Sequence, residues 1–349
     1  MVSLSAVLER SRDREAAFFA LTVAVFAIAL VFGGATIQGL ASDAVAELAA
    51  LPLLAMALVR LATAPVHRLR RAAFPLILLA VLLLMPLIQL VPLPPAIWTA
   101  LPGRNIAVET FDFIGKSLPW WPISLDPAAT LRSFLSVLPA VAVFLAVLTV
   151  DLRDRRILTL MLVGFAVLTV ILGLAQLAQG QGSPLRFYAI TNLDSSVGFF
   201  ANRNHYAAFL CAVLPLVLAW TVHFAGKSRS EGRLRSIGFA LCAVLLLLGA
   251  AMSLSRAGIL LATLSFGSGI LLLDFRAAHD SRKSAGRLMA VIGVIALIMI
   301  AHYALSGLLL RFTSADADDF RFTIWSITGD AVWSVFPVGG GFGTLQPLY

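Results

Sequence analysis

Charge is scarce in this chain. Asp, Glu, Lys and Arg make up 13% of its 349 residues, where a soluble domain carries about a quarter. With 60% hydrophobic residues and a mean hydropathy of +0.94, that scarcity excludes a soluble globular class. Cysteine is scarcer still. Cys211 and Cys242 both fall in apolar runs, so they read as small core residues and imply no disulfide framework. Histidine is also rare: His67, His205, His223, His279 and His302 do not pair at ligand spacing on a common helix face, so no metal site and no cofactor are expected. Asp316, Asp318 and Asp319 resemble the start of a calcium loop, but Arg321 stands at the required glycine position. No strand precedes the glycines at 339–343, which excludes a dinucleotide-binding fingerprint.

Long apolar runs are what the chain does have. They measure 17 to 21 residues, about the length that crosses a bilayer's hydrocarbon core. Nine spans are expected, near 16–35, 44–62, 73–93, 131–150, 157–176, 205–224, 237–253, 257–273 and 288–307. The expected fold is therefore all-α: a polytopic transmembrane helical bundle with helical segments in its outer loops. No stretch reads as a soluble domain, so residues 1–349 are expected to form a single integral membrane domain. The basic N-terminal segment runs into a full-length span without a convincing small-residue cleavage site, so it reads as a retained first helix.

The net charge of +8 records topology. With the N-terminus in the cytoplasm, 18 of the 26 Lys and Arg residues fall on inside segments and 8 on outside ones, as the positive-inside rule requires. A nucleic-acid partner is thereby made unnecessary. The inside connections are short and basic, whereas the outside ones are longer and chemically varied. Residues 94–130 are rich in Pro and carry Trp98, Trp120 and Trp121, residues suited to the headgroup level. In Ile123-Ser124-Leu125-Asp126-Pro127-Ala128-Ala129-Thr130, Asp126 can cap a helix and Pro127 suits its first position. Residues 177–204 are rich in Gly, Ser and Asn, and residues 308–349 carry an acidic cluster, two Trp and a glycine-rich stop.

Three outside motifs carry the chemistry. Asn202, Arg203, Asn204 and His205 crowd the start of the sixth span. One reading makes Asn202 or Asn204 a helix cap and sends Arg203 to lipid phosphates. The other makes the cluster a phosphate or sugar site at a helix N-terminus, whose partial charge favours anions. Ser253-Leu254-Ser255-Arg256-Ala257-Gly258 joins two spans by a short turn. It is either a tight turn with Gly258 easing helix packing, or it supplies a second cation beside Arg203. In the third motif Phe320, Ile324, Ile327 and Ala331 share a helical face from which Arg321 and Trp325 are displaced. That pattern reads as an amphipathic helix on the outer surface, ended by Pro337. The glycines beyond it are a turn that brings backbone close to something, or a plain loop.

Taken in order, Phe200-Ala201-Asn202-Arg203-Asn204-His205, Ser255-Arg256-Ala257-Gly258 and Arg321…Trp325…Pro337…Gly339…Gly341…Gly343 resemble the O-antigen ligase and O-antigen polymerase superfamily. The Ile123–Thr130 stretch matches that family too, so the resemblance covers roughly residues 120–349. It implies a glycosyltransferase of the GT-C kind, which moves a glycan from undecaprenyl diphosphate to an acceptor hydroxyl, without metal or nucleotide sugar. The implied setting is the periplasmic face of a bacterial inner membrane. The implied partners are the lipid-linked glycan, a glycan or lipid A-core acceptor, and membrane lipids. Arg203, Arg256 and Arg321 would bind the diphosphate, since guanidinium groups can neutralise it in place of a divalent cation. Asn202 and Asn204 would orient phosphate or sugar groups, and His205 is a candidate base. The family's proposed base is a His beyond the glycine-rich turn, and Tyr349 precedes that position. The sequence is therefore expected to be an incomplete catalytic unit.

Two other classes remain open. A lipid-glycan flippase or small-molecule transporter would place ionisable or helix-breaking residues near mid-membrane, whereas here the span centres are almost uncharged. A non-catalytic assembly partner is the third class.

Overall fold

The structure, a computed structural model, describes residues 4–35, 41–225, 230–274, 286, 290–294, 298 and 317–345. Among these residues the order of elements is α1 (Leu4–Phe32), α2 (Ala41–Ala62), α3 (Val66–Arg71), α4 (Ala73–Gln89), β1 (Pro92–Leu93), α5 (Pro95–Trp98), α6 (Asn105–Phe113), β2 (Trp121–Pro122), α7 (Pro127–Thr149), α8 (Leu152–Ala178), α9 (Arg203–Ala225), α10 (Ser230–Met252), α11 (Arg256–Asp274) and α12 (Ala317–Ser334). Six helices among the described residues are long and apolar enough to cross a membrane: Asp13–Phe32 of α1, α2, α7, α8, α9 and α10. They mark a multi-pass membrane protein. Of the other three expected spans, 73–93 is the shorter apolar helix α4, 257–273 is α11, of 19 residues, and 288–307 lies mostly outside the described residues.

Two compact units divide the chain, one of Met1–Ala29, Gln38–Val150 and Ser314–Tyr349, the other of Leu30–Ile37 and Asp151–Thr313. In the first, α2 packs along α7 and α4 lies against α7 as well. The buried positions of α2 are Ala46, Ala50, Leu53 and Ala57, a mostly small-residue seam that lets two helices approach where lipid supplies no hydrophobic drive. Arg60 in the last turn of α2 reaches back to α1, 2.8 Å from Glu15 and 3.9 Å over the Phe18 ring.

The segment between α4 and α7 folds on itself. β1 and β2 pair antiparallel, Pro92 with Pro122 and Leu93 with Trp121. Trp98, expected at the headgroups with Trp120 and Trp121, is completely buried. Its indole N–H donates to Pro119 O at 2.9 Å, and its ring meets Phe111 edge-on, as Phe111 meets Trp121. A tryptophan whose N–H already has a partner in a small aromatic core gains nothing by moving to the interface. Trp120 alone of the three is exposed.

The Ile123–Thr130 stretch starts α7 as its residues require. Asp126 accepts from Ala129 N at 2.9 Å, and Pro127 takes the first helical position. The glycine-rich turn after α12 packs on this helix start. Leu125 N donates to Gly340 O at 2.7 Å, Thr130 Oγ1 donates to Phe342 O at 2.8 Å, and Phe342 N donates to Gln89 Oε1 at 3.0 Å. Gly341 sits at φ +106, and a Cβ there would lie 2.6 Å from Ser124 Oγ, so only glycine fits. What these glycines bring close is therefore the N-terminus of α7.

A buried arginine completes the joint. Arg104, absent from every motif above, is fully buried. Its guanidinium donates to Pro102 O at 3.0 Å, to Gly339 O at 3.1 Å and to Ile123 O. Burial pulls its pKa down from the ordinary arginine value, yet a guanidinium titrates too high to lose its charge. Arg104→Met should destabilise the protein by about 3 kcal/mol, because three carbonyls lose a charged donor. Thermal unfolding in detergent measures this, and an unchanged midpoint would show that the fork is dispensable.

Candidate functional site

The second unit is built around α9, which packs on α8, α10 and α11. Tyr206, Leu210, Leu214 and Leu218 are buried on it beside Val163 and Val170 of α8 and Ala243 and Leu246 of α10. A helix with neighbours on three sides is apolar nearly all round, as α9 is beyond its first turn. That first turn holds the polar cluster read from the sequence.

What fixes the start of α9 is the segment before it. Residues Ser195 to Gly198 are buried without being helical, so their backbone groups need partners within the protein. Gln176 supplies two at once: its Nε2 donates to Gly198 O at 2.8 Å and its Oε1 accepts from Gly198 N at 3.0 Å. The same Nε2 also donates to Leu185 O at 2.9 Å. Thr169 Oγ1 accepts from Phe199 N at 3.1 Å, Ser196 N donates to Met252 O, and Ala201 N donates to Gly34 O. Gly198 turns at φ +54, where a Cβ would come 2.4 Å from Thr169 Oγ1. The chain therefore dips to the level of Thr169, about 13 Å of helix short of the end of α8, before rising into α9.

Arg186 folds the loop above it. Its guanidinium donates to Asn192 O at 2.9 Å and Leu193 O at 2.6 Å, and Asn192 Oδ1 in turn accepts from Arg203 N at 2.9 Å. Sequence reasoning missed Arg186, Gln176 and Thr169. Thr169, Gly173 and Gln176 recur on one face of an otherwise apolar span, and that stripe was the available signal.

The candidate residues now have places. Asn202 is a cap, its Oδ1 accepting from Asn204 N at 2.7 Å. Asn204 is exposed, and its Oδ1 accepts from Ser255 Oγ at 2.8 Å. Ser255 Oγ also accepts from Gly258 N at 3.0 Å, capping α11. Leu254 takes φ +53 in this turn, a strained conformation for leucine held by the bonds on either side. Gly258 eases packing as expected: a Cβ there would lie 2.6 Å from Ala207 Cβ, and Cys211 Sγ donates to Gly258 O at 3.4 Å.

The motif around Arg203 and the motif around Arg256 are thus joined by one hydrogen bond. Arg203 opens α9 and Arg256 opens α11. Arg203 is partly exposed, Arg256 and His205 are exposed, and none of the three side chains has an ion-pair or hydrogen-bond partner among the described residues. Arg321 belongs to α12, in the first unit, and its side chain is outside the description. Chemically, two cations at adjoining helix starts suit an anion.

Gln176→Met should cost about 2–4 kcal/mol, because a buried backbone N–H and two carbonyls lose their partners while the side-chain volume is kept. Thr169→Val should cost about 1 kcal/mol for a single lost bond. Thermal midpoints in detergent test the order, and equal effects would contradict it. Compared with known proteins, the chain matches no family model, no curated protein and no solved structure.

Proposed function

We propose that this protein is a glycosyltransferase that moves a glycan from an undecaprenyl-diphosphate carrier to an acceptor hydroxyl, in the manner of an O-antigen ligase or polysaccharide polymerase. Its setting in this reading is a bacterial inner membrane with the reaction on the periplasmic face. The observation that carries the reading is the Ser255–Asn204 hydrogen bond, which joins the starts of two helices that each open on an arginine unpaired among the described residues. Lipid phosphate contact alone would explain one arginine at a span end. Two, with Asn204 bonded across to the turn that precedes the second, suit a ligand that carries two phosphoryl groups.

The chemistry follows from charge. The acceptor oxygen bonds to the anomeric carbon as the bond from that carbon to the diphosphate oxygen breaks. The electron pair leaves with the diphosphate. Arg203 and Arg256 neutralise the charge that grows there, which lowers the barrier more than it stabilises the bound donor. Asn202 and Asn204 orient phosphoryl or sugar oxygens through their amide N–H groups. His205, exposed in the same first turn of α9, would accept the acceptor's proton.

Arg203→Ala should lower glycan transfer at least about 100-fold, the scale of losing one charge-stabilising donor, while membrane insertion and unfolding midpoint stay unchanged. The assay supplies lipid-linked glycan and candidate acceptors in proteoliposomes. Full activity of the variant would overturn the assignment. In the native protein, movement of the glycan lipid across the bilayer without transfer would indicate a flippase instead.

A further inference from the structure

The first unit exposes aromatic side chains on two helices that are not membrane spans. On α6, Phe113 is 90% and Ile106 78% exposed, and their spacing of seven puts them on one face. Phe111, on another face, packs into the small core with Trp98. On α12, Trp325 is 82% and Trp333 70% exposed, on one face at a spacing of eight, with Val332 beside them. Phe336 stacks edge-on to Trp333. Ile324 and Ile327, on the face expected from the sequence to be apolar, are also exposed, so the described residues leave much of this helix uncovered.

Both helices are tied to the ends of apolar helices. The turn after α12 is hydrogen-bonded to Gln89, the last residue of α4, and to Leu125 and Thr130 at the start of the span α7. Trp333 stands six residues before that turn's first glycine. Arg104 immediately precedes α6, and its guanidinium holds Gly339 O and Ile123 O at the same joint. Exposed apolar residues also recur along the chain from α4 to α6, at Val91, Ile97 and Ile106. A span's end lies at the water–lipid boundary, and Trp and Phe are the side chains that favour that depth.

We infer that α6 and α12 lie in the membrane interface, with Phe113, Trp325 and Trp333 seated among lipid headgroups and upper acyl chains. Arg104 and the glycine-rich turn pin them there. The occupant of this surface is lipid, and the inference stands whether or not the protein transfers glycans.

Fluorescence in nanodiscs tests it, with acyl chains brominated near the headgroup as quenchers. In chains reduced to a single tryptophan, Trp325 or Trp333 should lose emission about twofold, while Trp98 is unaffected. Ile77→Trp, on the exposed side of α4, serves as the lipid-contact reference. Quenching of that reference with none at Trp325 or Trp333 overturns the inference, and points to a protein partner over the surface. A second measurement guards against misfolding of the reduced chains. In the otherwise native protein, Trp325→Phe with Trp333→Phe should remove a measurable share of the quenchable emission, and no change would again overturn the inference.

Discussion

Main chain that leaves the helix in a region closed to water must find every hydrogen bond from the protein itself. In the second unit that demand falls on the segment before α9, and Gln176 meets it by pairing both its amide ends with Gly198. Everything further along rests on this pairing. Because the segment is fixed, α9 begins at Arg203, its first turn meets the turn before α11, and Asn204 finds Ser255. The first unit meets a similar demand with Arg104, whose fork gathers carbonyls from three places in the chain. In both units one buried polar side chain holds irregular backbone in shape.

Much of the fold was legible in the sequence because lipid imposes a coarse rule. A run long enough to cross must be apolar, so most helices announced themselves by composition. Asp126 and Pro127 announced the start of α7 through local stereochemistry. What stayed hidden depends on partners far along the chain. Arg104 looked like one more outside cation, yet its partners include Gly339, 235 residues away. Trp98 looked like an interface residue because its type favours that depth, and a small aromatic core claimed it instead. The glycines after α12 read equally as a close-approach turn or a plain loop, and only the packing on α7 decides between them.

The candidate site divides in the same way. That Asn202 or Asn204 could cap α9 was readable from residue type alone, and the structure gives the bond to Asn202. That Arg203 and Arg256 stand on helix starts linked through Asn204 was not, since the two motifs are 51 residues apart at the linking bond. Their order along the chain gave the resemblance. A side-chain hydrogen bond gave the geometry on which the proposed chemistry rests. Arg321, the third cation in the resemblance, belongs to α12 of the other unit.

The two asparagines have one further property. Asn202 spends its amide oxygen on a backbone N–H, and Asn204 spends its own on the Ser255 hydroxyl, which in turn takes the Gly258 N–H. The Asn202 amide cannot rotate without setting a donor against that N–H, and the Ser255 hydroxyl proton holds the Asn204 oxygen toward itself. The ends left outward are therefore both NH2 groups, beside two guanidinium groups that can only donate. These four side chains share one hydrogen-bonding sense: they welcome oxygen lone pairs, and a group that arrives offering a proton must turn to His205 instead.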